Sequence, residues 1–340
     1  MLGALDQGLI SALVALGVFL TFRILNFADL TVDGSFSAGT AMAAILLFNG
    51  TSPVAATLIG ALAGAAAGCV TGFLHTKAHI DPLLSSILVM LAMYSVNTRI
   101  MWLGKDGVQR ATVPLLGKHT VFTWLAENYG RDSWVTVGVI AAGVLVMVVF
   151  VNWFLGTNFG LAVMATGDNP AMASSLGIST DFAKIVTLGV SNGLVGLSGA
   201  VWAQYVGTAA IGDGTGWILI GLASVILGNA LLGTRYVALM TLGVVVGSVL
   251  YRVAIYFALK WNFLSNTDMK FITAALVVIA LVLSASKHVR TLGSWLSPWR
   301  RKPDAPEPMA VAPNQFSPFA TADAATQPGP VVAPEKGVAR

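Results

Sequence analysis

The chain has 340 residues, of which 56% are hydrophobic and only 10% charged, and its mean hydropathy is +0.79. A soluble domain carries about 25% charged residues, so so few charges over this length leave apolar runs that can cross a bilayer. The net charge of +4 is uneven: seven basic and four acidic residues follow position 286, leaving +1 for the rest. That places a basic cluster beside a membrane and carries no nucleic-acid signal.

The first span, 5–25, has no Lys or Arg before it and carries Asp6, unlike a cleavable signal, and is read as retained. Further apolar runs cover 34–48, 53–75, 82–103, 134–156, 183–205, 216–232, 235–258 and 269–286. The expected fold is all-α, a polytopic membrane helical bundle of about nine hydrophobic segments with one or two short discontinuous helices. The short ones, 34–48 and 216–232, follow the polar stretches "DLTVDGS" and "GTAAIGDGTG". Short, Gly-interrupted segments of this kind line paths in transporters, although a tilted helix after a tight polar turn is the alternative.

Between the first two spans, "NFADLTVDGSF" places Asn26, Asp29, Thr31, Asp33 and Ser35 near the membrane. Polar groups inside spans are costly and default to functional readings, so these five are translocation-path candidates. Asp33 is read first as the N-cap of the following helix, ahead of a solute contact; Asp29 stays open. Arg23 could neutralise either carboxylate or snorkel to the surface.

In the third span Gly60, Gly64, Gly68 and Gly72 recur every fourth residue, a face that admits another backbone. Gly189, Gly193, Gly196 and Gly199 repeat the device, as do Gly243 and Gly247. Asn97, Asn192 and Gln204 are further path candidates, with interhelical hydrogen bonds as the equal reading. Arg99 and Arg252 are placed near outer span ends, toward a partner or the headgroups. Trp102, Trp134, Trp153 and Trp261 fall where aromatic belts form.

Cys69 is the sole cysteine, so neither a disulfide framework nor a thiolate metal site is expected. His75 and His79 are spaced i, i+4, but no third metal ligand is apparent. Gly104–Lys105 and Gly117–Lys118 lack the spacing of a nucleotide-binding phosphate loop. No catalytic residue, metal site or cofactor of the chain's own is expected.

The cluster from Lys287 to Lys302 puts the end of the last span in the cytoplasm by the positive-inside rule. Counting back places 76–81, 157–183 and 232–235 inside, and 104–133 and 259–268 outside, although 104–133 itself holds four basic residues. Nine of the thirteen prolines lie from Pro298 onward, so 287–340 reads as a basic juxtamembrane segment and a disordered cytoplasmic tail beyond a permease domain at 1–286.

The patterned inner loop is "FGLAVMATGDNPAMASSLGISTDFAKI", 159–185. Asp168, Asn169 and Pro170 signal a helix start, Ala171–Leu176 a short helix and Gly177 its stop. A short, capped helix between two spans suits docking by another protein. "ATGDNPAMASSLGIS" followed by "GVSNGLVGLSGAVWA", with "NFADLTVDGSF" and "GWILIGLASVILGNALLG", resembles permease subunits of bacterial ABC importers of the branched-chain amino acid and ribose type. The likeness spans roughly 5–286 and is nearest to permeases operating with lipoprotein-type binding proteins for aromatic amino acids or related small solutes.

The resemblance implies a coupling helix engaging a cytoplasmic ATPase, through Thr166, Gly167, Asp168, Asn169, Pro170, Ala171, Ala173, Ser174, Leu176, Gly177 and Ile178. It also implies a second permease copy, a periplasmic or lipid-anchored binding protein, ATP and Mg on the partner ATPase, and the bacterial inner membrane. A long N-terminal extension of the family is missing and the Pro-rich tail is unusual for it. A secondary transporter, lacking any visible internal repeat, and a lipid-linked transferase, with only 104–133 as a catalytic loop, are the rival classes.

Overall fold

Backbone in hydrocarbon has no water to bond, so an apolar run must satisfy its own N–H and C=O groups as helix. The computed structural model describes residues 1–104, 108–130, 134–232, 236–260 and 278. Among these, seven helices are long and apolar enough to cross a membrane. They are α1 (Leu2–Val18, continued by a π-helical turn at Phe19–Ile24), α2 (Thr31–Phe48), α3 (Pro53–Lys77), α4 (Pro82–Met101), α6 (Trp134–Gly156), α9 (Thr180–Val206) and α11 (Val237–Lys260). Between them come β1 (Thr112–Pro114), α5 (Val121–Tyr129), α7 (Asn158–Asp168), α8 (Pro170–Ser175) and β2 (Thr208–Ala210).

The eighth apolar helix, α10 (Trp217–Leu232), has 16 residues. At 1.5 Å per residue it is about 24 Å long, short of a ~30 Å hydrocarbon core. It matches the short helix expected at 216–232. The other segment expected to be short is not: α2 starts at Thr31 and reaches crossing length. Its polar first turns are absorbed because their side chains find partners inside the bundle, Thr31 Oγ1 lying 2.7 Å from Thr71 Oγ1. The expected span 269–286, Trp261, the basic cluster and the proline-rich tail lie outside the described residues.

The purely helical expectation also misses a small antiparallel ribbon, in which Thr112 pairs with Ala210 and Pro114 with Thr208. With Leu115 N donating to Gly207 O at 2.9 Å, it ties the loop before α5 to the end of α9. Val113, Leu115 and Ala209 bury there against Ala41, Leu47, Ala56 and Met101.

The core sits on α1, whose Ile10, Val14, Leu16 and Phe19 are fully buried. Helices α3, α4 and α6 form the periphery and turn side chains such as Leu62, Leu91 and Val146 outward, as lipid contact requires. Two sets of contacts define the ends. Lys77 pairs with Asp181 at 3.1 Å, and His75 Nε2 accepts from Lys184 at 3.1 Å while Nδ1–H donates to Ile80 O. At the opposite end Gln204 Nε2 donates to Thr57 Oγ1 at 2.7 Å and Tyr205 OH to Asp6. His75 is thus engaged structurally, and no group of metal-binding side chains occurs among the described residues.

The Gly60–Gly72 stripe closes the α3–α9 contact. A Cβ on Gly64 would fall on the Asn192 carbonyl, one on Gly68 on that of Leu188, and one on Gly72 within 2.8 Å of Ile185 Cα. Gly228 meets Gly243 and Gly247 in the same manner between α10 and α11. We expect Gly68→Leu to cost about 1–3 kcal/mol through overpacking, lowering the detergent melting temperature. Gly138→Leu, at a position with open space, serves as control. Equal melting of the two variants would refute the close approach.

Candidate functional site

The polar break between α1 and α2 is built by the backbone first. The π-helical turn ends with Leu25 N bonded to Leu20 O and Phe27 N to Thr21 O, both at 2.9 Å, and Asn26 takes a left-handed φ of +55°. This directs Asp29 inward, where it is fully buried. Its Oδ1 accepts from Thr31 N at 2.9 Å and its Oδ2 from Asn192 Nδ2 at 2.7 Å. Asp29 lies in the linker outside the spanning helices, and burial pushes its carboxyl above the usual range, opposed by the bonds from Asn192 and Thr31.

Asp33 corrects the sequence expectation. The residue before α2 is Leu30, and Asp33 stands inside its first turn. Its carboxylate accepts from Gly216 N at 2.8 Å and Ile218 N at 2.9 Å, so it caps α10 across the bundle. Ser37 Oγ accepts from Gly214 N at 3.1 Å alongside. The local role expected of Asp33 falls to Asp29. Arg23 is exposed and pairs with neither carboxylate, the described ion pair being Lys77–Asp181.

The eight path candidates do not converge on one spot. Asp29, Thr31 and Asn192 form one cluster; Asp33 joins α2 to α10; Asn97 Nδ2 donates to Gly34 O at 3.1 Å, fastening α4 to α2. Ser35 Oγ, Asn97 Oδ1 and Asn192 Oδ1 are buried without hydrogen-bond partners. Asn26 is exposed at one end, while Gln204, at the other, lines a cavity of about 710 Å³ with Thr120, Phe122, Glu127 and Tyr205.

Sequence reasoning misplaced one residue. Arg252 does not face headgroups or a partner: it is 6% exposed, 5.1 Å from the Trp217 ring centre and 5.9 Å from that of Trp202. Its position four residues beyond Ser248, inside an otherwise apolar run, was the available signal. Arg99 is exposed, as expected for a headgroup contact.

At the other end of the bundle, α7 packs so closely on the π-helical turn that a Cβ on Gly167 would fall on the Ile24 carbonyl. Thr166 is buried and bonds to Ala162 O. Asn169 Oδ1 then accepts from Met172 N at 3.0 Å, and Pro170 occupies the first helical position of α8. Gly177 stops it at φ +81°, with Ile178 N bonded to Ala173 O at 3.1 Å, a Schellman closure.

Ala173 alone in α8 is buried. Asp168, Ala171, Ser174 and Leu176 stand exposed, and Leu176 is 70% accessible. Met172 is exposed beside it, and a groove of about 470 Å³ is lined by Lys77, Ile178, Asp181, Phe182 and Ile185.

Residues 1–285 match the family model described as the branched-chain amino acid transport system / permease component. The chain is 39% identical over 288 residues to a tyrosine transport system permease protein of Clostridioides difficile, covering 85% of this chain and 92% of that one. It is 27% identical to the Autoinducer 2 import system permease protein LsrC of Salmonella typhi, over 73% of this chain and 70% of that one. Among solved structures, a metal-chelate type ABC transporter in an inward-facing conformation shares the fold, with a TM-score of 0.52, 13% identity and 83% of each chain covered.

Asp33 and Asp29 separate by substitution. Hydrogen bonds to a charged group contribute about 1.5–3 kcal/mol, so Asp33→Ala should speed amide exchange at Gly216–Ile218 by roughly tenfold or more. Asp29→Asn should leave those amides unchanged, since Asp29 bonds only to Thr31 and Asn192. Exchange mass spectrometry that finds both variants alike would overturn the cross-bundle cap.

Proposed function

The chain belongs to the branched-chain amino acid transport system permease family, a membrane subunit of an ABC importer, and on that premise we propose that it carries a small amino acid. The family model and the tyrosine-permease relative support an aromatic or branched-chain solute. The observation that carries the coupling role is α8: an exposed apolar tip, capped at both ends, standing on a helix packed against the α1–α2 break.

In this reading a cytoplasmic ATPase holds α8 through Met172, Leu176 and the neighbouring groove. Closure of the ATPase pair displaces α8. Gly167, in backbone contact with the Ile24 carbonyl, passes the displacement to the linker that carries Asp29. From there it reaches α9 through Asn192 and α10 through Asp33, which alters access to the path. ATP and Mg bind on the partner, and the chain itself contributes no covalent chemistry.

The remaining partners follow the same reading: a second permease copy and a binding protein, lipid-anchored or periplasmic, at the end formed by β1, β2 and α5. The inner membrane is the expected location, with the α8 end and the C-terminal tail cytoplasmic. That polarity agrees with the basic cluster after position 286.

Leu176→Asp should reduce stimulation of the partner ATPase and ATP-driven uptake at least tenfold, with normal yield and melting temperature, because the side chain is 70% exposed. Gly177→Val adds strain at a left-handed position of about 1–2 kcal/mol and should uncouple more weakly. Reconstituted complexes with labelled tyrosine and leucine provide the measurement. Unchanged coupling in Leu176→Asp would sink the role assigned to α8.

A further inference from the structure

We propose that Arg252, set against Trp202 and Trp217, is a carboxylate anchor on the solute path, selecting small solutes that combine a carboxylate with an aromatic ring. The inference rests on the importer reading and adds a site to it. α11 lies along α1, with Ser248 Oγ donating to Gly8 O at 2.7 Å and lying 2.9 Å from Ser11 Oγ. One turn further on, Arg252 enters the bundle with 6% of its surface accessible. Its Nε has no hydrogen-bond partner, and no carboxylate among the described residues pairs with it.

Four acidic residues of the bundle are bonded to other groups. Asp33 holds the N–H groups of α10, Asp29 holds Thr31 and Asn192, Asp213 Oδ2 accepts from Ala210 N at 2.7 Å, and Asp6 receives the Tyr205 hydroxyl. What Arg252 has instead is ring faces. A desolvated cation–π contact offsets only part of what burying an unpaired charge costs. Aromatic faces also accept none of the in-plane N–H bonds of a guanidinium, whose planar fork fits a carboxylate with two parallel bonds. Among the described residues, nothing supplies the guanidinium with an anion.

A continuous series of ring contacts leads to it from the larger cavity. Phe122 and Tyr205 line that cavity with centroids 5.5 Å apart, Tyr205 lies 6.3 Å from Trp202, and Trp202 meets Trp217 at 5.1 Å. Trp217 in turn stacks on Phe36 at 4.1 Å. Phe122 and Tyr205 offer faces and edges to an aromatic side chain in the cavity, and in the bound state the guanidinium beyond the packed Trp202 and Trp217 meets its carboxylate. An amine without a carboxylate gains the rings but meets a bare cation.

The test uses the full-length chain in nanodiscs, so that it does not depend on the ATPase, with scintillation-proximity binding of labelled L-tyrosine. Unlabelled 3-(4-hydroxyphenyl)propionate, which keeps ring and carboxylate, should displace it; tyramine, which lacks the carboxylate, should not. Arg252→Gln should weaken binding at least tenfold and Arg252→Lys by less, since the charge remains without the fork. Both variants should elute and melt like the parent. Absence of tyrosine binding to the parent, displacement by tyramine as effective as by the acid, or Arg252→Gln binding within twofold would each overturn the anchor. In the reconstituted complex, loss of ATP-driven uptake by the parent defeats the importer reading, whereas undiminished uptake of tyrosine by Arg252→Gln defeats only the anchor.

Discussion

A helix that starts within a membrane bundle exposes its first N–H groups where no water can reach them, and each left unbonded costs several kcal/mol. Helix α10 starts part-buried within the bundle, and the carboxylate of Asp33 answers its free N–H groups by accepting from Gly216 and Ile218. The position of the break follows from that bond. Ser37 takes the amide of Gly214, and the tight approach of Gly214 to the Asp33 carbonyl leaves no space for a side chain there. The negative charge also sits at the positive end of the helix, where it is stabilised. Everything that α10 positions, including Trp217 beside Arg252, inherits its location from this one carboxylate.

The two aspartates of the break divide the work between neighbouring helices. Asp29 draws α9 to the start of α2 through Asn192, and Asp33 draws α10 to the same helix one turn later. Helix α2 therefore has polar bonds to both, at the end of the bundle that also receives α7 on the Ile24 carbonyl. A π-helical turn at this junction frees backbone carbonyls from the regular i to i−4 pattern, and such turns recur at functional sites. The polar groups of the bundle are concentrated where helices must be held together and still respond to a neighbour.

Much of this was legible from residues alone. The apolar runs located every described spanning helix, because length and hydropathy are sufficient in a bilayer. The Gly60–Gly72 spacing announced a close contact, and Asn169, Pro170 and Gly177 delimited α8 by chemistry that acts within a few residues. What failed was anything depending on partners distant in sequence. Asp33 looks like a local cap because Asp before an apolar run commonly is one, yet its partners lie more than 180 residues away. Arg252 sits near a span end in the linear count, where headgroups are the ordinary explanation, and only the arrival of Trp202 and Trp217 from other helices encloses it.

The glycine stripe between α3 and α9 has a mechanical consequence. Side-chain interfaces can shear by exchanging rotamers, but backbone resting on backbone has no such freedom. Sliding α3 by one residue would drive the Cβ of Ala65 toward the Asn192 carbonyl now accommodated by Gly64. The pair is register-locked, like meshed gear teeth, and can only travel as a unit. A stroke delivered at the Lys77–Asp181 end would then arrive at the Thr57–Gln204 end undiminished, with compliance left to the helices that meet through side chains.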